Sequence, residues 1–378
     1  MTVHCAYFDA QRCRSCSNIQ QPYAEQLRHK QADLKIHLAE WPDLHWLSPV
    51  ASAQTGFRSK AKMAVSGSIE SPTLGLVDAV GNAEDLAACL LYPATLSAAF
   101  APIKRFISVA RIAPYDVVGR RGELKFVLLT VADYSGELML RFVLRSREAL
   151  GRMQAMLPTL RAALPQLRVI SANLQPLPAA IVEGNEEIAL SEQQHLRIEL
   201  NGLPFFLRPR GFFQTNQAVA AALYRQVQEW VQRCAPTRVW DLFCGVGGFA
   251  VHCAAAAREV YGVELSEEAI EGARLSAKEL GLPKLTFAAL DVSARLDLPL
   301  NNCPQLVIVN PPRRGIGPSL CSALENSKVK WLIYSSCNPA SMAADLRRMP
   351  GLQPSEAQLL DMFPHTNHSE TLVLLERS

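Results

Sequence analysis

From about residue 205 onward the chain alternates short apolar runs with helical segments, and this alternation restricts the fold more than any other feature. The runs fall at 238–243, 259–264, 285–290, 305–310 and 331–336. Strands alternating with helices form a mostly parallel sheet covered on both faces. Asn216 opens a helical run that reaches Arg233. Ser266 is the expected N-cap of a helix through Leu280, and Gly281 its stop. Ligands of such a sheet bind at the carboxyl ends of its strands, so those ends are where chemistry is expected.

The rest of the chain is less regular. A length of 378 residues suggests two or three domains. We place them at 1–90, 91–204 and 205–378. The first is irregular apart from a helix over 24–40, whose Leu27, Leu34 and Leu38 recur at helical spacing and which Pro42 ends. The second reads as α+β, with a hairpin of 125–132 and 137–144 around a turn at 133–136. No run of roughly 18 uncharged apolar residues exists, and the first 16 residues lack a signal-type apolar stretch. Cytoplasmic residence is the expectation. A net charge of +3 carries no case for nucleic acid by itself.

The first strand runs into Trp-Asp-Leu-Phe-Cys-Gly-Val-Gly-Gly-Phe at 240–249. Gly245, Gly247 and Gly248 make a turn that lets a ligand approach the backbone. Their spacing is not the G-x-G-x-x-G of a pyrophosphate loop. Glu264 ends the second strand, where a carboxylate accepts hydrogen bonds from ribose hydroxyls. Asp291 ends the third, a place for an adenine amino group, and Asn310 opens Asn-Pro-Pro-Arg-Arg-Gly at the end of the fourth. Singly, such features are tight turns and helix caps. In order along four strands they suit the adenosine half of S-adenosylmethionine. NAD is the alternative, although its phosphates call for the other glycine pattern.

The fifth strand ends in Ser-Ser-Cys-Asn-Pro at 335–339, which puts Cys337 on the ligand edge. A lone cysteine is ordinarily a small core residue, but Ser335, Ser336, Asn338 and Pro339 make this a polar turn. A helix start there would favour the thiolate. A thiolate has a use in methylating carbon 5 of a pyrimidine. It adds at carbon 6, carbon 5 becomes nucleophilic, and a base then takes the carbon-5 proton so that the thiolate can leave. Glu370, just ahead of a final apolar strand at 371–375, is the candidate base. A plain strand-edge glutamate is the equal alternative on the residues alone. His365 and His368 lack the helical H-E-x-x-H pattern and are expected to be structural.

Five segments, 212–216 (Phe-Phe-Gln-Thr-Asn), 241–249, 310–315, 335–339 and 361–366 (Asp-Met-Phe-Pro-His-Thr), together resemble the RNA uracil-carbon-5 methyltransferase family. The resemblance covers essentially the whole chain. It implies an α/β fold with a Rossmann-like methyltransferase domain at the C-terminus, an α+β middle domain and an N-terminal iron–sulfur region. The N-terminal β-barrel domain of some relatives is expected to be absent. Cys337 is implied as nucleophile and Glu370 as base, with S-adenosylmethionine held by Gln214, Phe243, Glu264 and Asn310 and further by Asp291. The implied substrate is a uridine of 23S ribosomal RNA; no membrane and no protein partner is expected. Several relatives place Asp where Asn310 stands, so a carboxylate role there is excluded. Exocyclic-amine methyltransferases follow Asn-Pro-Pro with an aromatic residue, whereas Arg313 follows here. RNA cytosine-carbon-5 enzymes often carry a fourth-strand cysteine, and 310–315 has none. Cytosine methylation, or a non-catalytic RNA-binding protein with a vestigial donor fold, are the alternative readings.

Of the ten cysteines, Cys5, Cys13 and Cys16 cluster near the start and Cys89 stands alone. Four soft ligands with one C-x-x-C pair fit zinc or an iron–sulfur cluster; reduced thiols without a metal are the other reading. The family resemblance implies a four-iron–four-sulfur cluster on these four, with a structural role.

For RNA contact, Arg58, Lys60 and Lys62 alternate as on one face of a strand. Residues 100–147 hold nine basic side chains (Lys104, Arg105, Arg111, Arg120, Arg121, Lys125, Arg141, Arg145, Arg147) against four acidic ones (Asp116, Glu123, Asp133, Glu137). That excess suits a phosphate backbone. Phe212 or Phe213 is the candidate for stacking on an extruded base.

Overall fold

A computed structural model describes residues 2–77, 83–178, 181–292 and 304–378; Cys303 lies outside them. The chain divides into two compact units. One comprises Met1–His4, Ser15–Gln54 and Glu199–Ser378, the other Cys5–Arg14 and Thr55–Ile198.

Among the described residues the first unit holds an eight-stranded sheet. Its order is His45–Trp46, Leu352–Leu360, Glu370–Arg377, Trp331–Ser336, Leu306–Val309, Arg238–Leu242, Glu259–Glu264, Leu285–Ala289. The last five pair in parallel, and Glu370–Arg377 runs antiparallel to both its neighbours. The predicted strands therefore exist, some shorter by one or two residues. Leu306–Val309 is buried at every position, as a strand covered on both faces must be. After Leu285–Ala289 the chain returns to the opposite side of Arg238–Leu242. This reversal opens a crevice at the carboxyl ends of Arg238–Leu242 and Leu306–Val309.

The helices begin and stop where their caps predict. Asn216 Oδ1 accepts from Val219 N at the start of Gln217–Cys234. Ser266 Oγ accepts from Ala269 N at the start of Glu267–Glu279, and Gly281 follows with a φ of +62°. Two features were not legible in advance. Leu352–Leu360 hides its strand character behind Pro354, where the register shifts. The N-terminal helix, Tyr23–His37, belongs to this unit: Lys30 Nζ donates to Asp361 Oδ1 (2.6 Å) and to the carbonyls of Phe363 and His368. Trp46, soon after it, pairs with Ala357 at the sheet edge.

The second unit contains, among the described residues, a seven-stranded sheet in the order Ala83–Asp85, Pro72–Val77, Lys60–Gly67, Leu124–Val131, Leu138–Leu144, Leu167–Leu174, Glu186–Ala189. Leu124–Val131 and Leu138–Leu144 form the predicted hairpin. One pairing is parallel, Leu138–Leu144 with Leu167–Leu174, and the helix Leu150–Ala163 makes the crossover that a parallel pair requires. Leu96, Phe100, Ile103 and Phe106 of Ala94–Val109 join Val127, Leu129, Leu140 and Phe142 of the sheet in one core. No helix among the described residues is long and apolar enough to cross a membrane.

Candidate active site

A cleft of about 750 Å³ opens at the crevice of the first unit. Gln214, Phe243, Glu264, Asp291 and Asn310 all line it, and so do Cys337 and Glu370. The five donor candidates and the two chemical candidates, drawn from positions up to 156 residues apart in sequence, thus share one cavity.

Its floor is the loop after Arg238–Leu242. Phe243, Gly245 and Gly247 have positive φ, 63°, 54° and 83°. A Cβ on Gly248 would stand 2.5 Å from the Tyr224 hydroxyl, so the helix Gly248–Cys253 can enter only through glycine. Asp241 is fully buried and accepts from Ala250 N at 2.9 Å, which ties loop to helix; burial pushes its carboxyl up to about 8. Glu264 accepts from Gly245 N (3.2 Å) and Ser266 N (3.0 Å). Each carboxylate oxygen keeps a further lone pair for a ligand hydroxyl. Both phenylalanines line the cleft; Phe213 is buried against Phe205, whereas Phe212 is 68% exposed.

At the other end, Cys337 is half-buried just beyond Trp331–Ser336. Burial, and then the Glu370 carboxyl, push its thiol up, while Arg313 opposes them by charge and by a hydrogen bond. The Cys337 backbone N–H also favours the thiolate, while the start of the following helix adds little. Pro339 at its first position has no N–H to offer, and Asn338 Oδ1 already accepts from Ala340 N. Arg313 is the side chain that opposes the rise in the thiol's pKa, a neighbour missed in the sequence because Arg313 was read only as the replacement of an aromatic.

Glu370 is 3% exposed, and burial pushes its carboxyl up to about 7. Ser335 Oγ donates to its Oε1 at 2.5 Å and pulls in the opposite direction. Ser335 was read only as a polar neighbour of Cys337. Its partner follows from pairing the final strand antiparallel to Trp331–Ser336, where Ser336 faces Thr371. His365 is structural: its ring nitrogens meet Gln54 O (2.8 Å) and Gln26 Nε2 (3.3 Å), and it is buried.

Cys5, Cys13 and Cys89 belong to the second unit and are half-buried. Burial raises the Cys89 thiol, and the negative charges that Cys13 and Cys5 can carry add to it. Cys13 and Cys5 thus both lie within electrostatic reach of Cys89. Cys16, also half-buried, directly follows Cys13-Arg-Ser and lies in a segment of the first unit. Among the described residues no three His, Cys, Asp or Glu side chains are gathered as ligands of a single metal ion.

The basic excess of the second unit is smaller than the count over 100–147. Arg141 is buried between Glu183 and Glu187, Arg147 pairs with Glu186, and Lys104 with Asp85. Those four carboxylates lie outside the counted window. Lys62 is exposed on a strand whose Ala61 and Met63 face the core.

The comparisons with known proteins agree with this geometry. A family model described as tRNA (Uracil-5-)-methyltransferase matches residues 191–378. The chain is 50% identical over 373 residues to a 23S rRNA (uracil(747)-C(5))-methyltransferase RlmC of Escherichia coli O139:H28 (strain E24377A / ETEC), covering 99% of each chain. The chain belongs to the RNA uracil-carbon-5 methyltransferase family. Another such methyltransferase, RlmC of Shigella boydii serotype 4 (strain Sb227), is likewise 50% identical, with 99% of each chain covered. The methyltransferase fold is shared with a Pyrococcus abyssi tRNA (uracil-54, C5)-methyltransferase solved in complex with S-adenosyl-L-homocysteine. The TM-score is 0.81 at 24% identity, over 95% of this chain and 85% of that one.

Proposed function

We propose that this methyltransferase carries a methyl group from S-adenosylmethionine to carbon 5 of one uridine of 23S ribosomal RNA, the counterpart of the uracil 747 named for its relatives. The observation that carries the reading is the single cleft in which Cys337 and Glu370 meet all five donor candidates.

Gln214, Phe243, Glu264, Asp291 and Asn310 would hold the donor, which supplies its methyl as an electrophilic carbon on a sulfonium. The Cys337 thiolate, assisted by Arg313, bonds to carbon 6 of the uracil, and the ring's double-bond electrons move toward the carbon-4 oxygen. Carbon 5 then takes the methyl as the methyl–sulfur bond breaks. Glu370 removes the carbon-5 proton, the double bond re-forms, and the carbon–sulfur bond to Cys337 breaks, returning the thiolate. A base with a pKa near 7 suits this proton transfer at neutral pH. Phe212 stacks on the extruded base.

Cys5, Cys13, Cys16 and Cys89 would hold a four-iron–four-sulfur cluster, and that cluster would contribute a staple rather than electrons. The region 91–204 contributes RNA contacts, and the protein works in the cytoplasm. Nucleoside mapping of ribosomal and transfer RNA from cells lacking the gene tests the function. One 5-methyluridine should vanish from 23S RNA and return on complementation. Loss from transfer RNA alone, or from neither, contradicts the proposal.

A further inference from the structure

A second cleft, of about 570 Å³, meets the first at Cys337 and Arg313. The helix Tyr23–His37, the turn before it and the loop after Asp361 form its walls. Those walls are braced from behind. Gln26 Nε2 donates to Asn18 O (3.0 Å) and Gln21 O (2.9 Å), while its Oε1 accepts from His365 N at 2.9 Å. Lys30 spends its ammonium on Asp361 and two carbonyls. The cleft therefore keeps its shape by itself.

Its lining suits a nucleobase better than a phosphate. Lys30 is neutralised by Asp361, and Asp33 adds a carboxylate to the wall. Burial lowers the pKa of His368, helped by the charges of Arg313 and Lys30, which disfavours a cation there. At the rim, Asn18 Nδ2 donates to Asn367 Oδ1 at 2.6 Å. One bond between two amides leaves donors and acceptors on both, whichever way either amide is turned. Donor beside acceptor is the arrangement with which amide side chains grip a base edge in two places. Continuity with Cys337 names the occupant. The uracil under attack sits at the junction of the clefts, and the chain that carries it must leave past the junction's walls.

We propose that the second cleft seats the nucleobase next to the target uridine, and that the Asn18–Asn367 amide pair reads its hydrogen-bonding edge. This rests on the uridine reading above. The test uses the full-length protein, S-adenosylmethionine and synthetic fragments of 23S RNA around the target. One fragment is intact; two others carry an abasic ribose on the 5′ or the 3′ side of the uridine. Asn18→Ala with Asn367→Ala should lose about 10- to 100-fold in kcat/KM on intact RNA, with kcat at saturating RNA and donor affinity unchanged. Wild type should suffer a similar loss on one abasic fragment, and there the double variant should lose little more. Wild-type kcat/KM from the double variant on intact RNA, or an equal further loss on both abasic fragments, overturns the proposal. His29→Ala, an exposed change on the same wall, decides by the same two criteria if the double variant fails to fold. A wild-type enzyme that methylates no fragment at carbon 5 defeats the uridine reading itself, and this proposal with it.

Discussion

In the proposed reaction, the chemistry turns on side chains that the fold pushes in opposing directions. Cys337 would have to ionise although burial and Glu370 oppose it, with Arg313 as a compensating charge. Arg313→Ala should slow adduct formation by ~10-fold or more and move the acid limb of its pH profile upward, measured by single-turnover mixing. An unshifted profile would remove Arg313 from this role. Glu370 is raised from an ordinary value near 4.5 to about 7, so the folded protein holds a proton there that the unfolded chain has lost. Stability from this residue therefore falls as pH rises from about 4.5 to about 7. Glu370→Gln should then unfold at higher urea than wild type at pH 8, by up to about 3 kcal/mol, and show no such gain at pH 4. Ser335→Ala removes the hydrogen bond that favours the carboxylate. It should move the pH dependence of adduct breakdown upward and leave donor affinity as it is; an unmoved profile would make Ser335 merely structural.

At the scale of elements, what the sequence disclosed depended on periodicity. Five parallel strands and their caps were legible because doubly covered strands are continuously apolar and because Asn216, Ser266 and Gly281 mark helix ends chemically. Leu352–Leu360 was not, because Gln353, Pro354, Ser355 and Glu356 interrupt any apolar pattern and the strand is fixed by tertiary pairing. Nor was the partner of Tyr23–His37, since nothing local reveals that Lys30 meets Asp361 more than three hundred residues later. That buried pair, with Tyr23 also donating to Asp361 at 2.7 Å, anchors the loop that carries His365 and leads to Glu370. Lys30→Met leaves a buried carboxylate uncompensated. It should cost about 3–5 kcal/mol in urea denaturation, and a loss below 1 kcal/mol would show the anchor to be slack.

For the whole molecule, the motifs pointed to one cleft. Glu264, Asp291 and Asn310 were readable as strand ends, whereas the different exposure of Phe212 and Phe213 needed the structure, since adjacent phenylalanines look alike until one is buried. The basic excess over 100–147 shrank for a related reason: Glu183, Glu186 and Glu187 are distant in sequence but pair with Arg141 and Arg147 in the fold. The cysteine set makes a prediction of its own. Protein prepared without oxygen should be brown and retain ~four irons per chain after desalting, and Cys89→Ser should lose them. Stoichiometric zinc without iron would contradict the cluster.

The central claim is covalent catalysis by Cys337 with release by Glu370. Its most direct test is mass spectrometry of Glu370→Gln after incubation with S-adenosylmethionine and the 23S RNA fragment, followed by protease and nuclease digestion. The account predicts a peptide containing Cys337 joined to a uridine that already carries the methyl group. Free 5-methyluridine formed at the wild-type rate, or an adduct on any other residue, would contradict it.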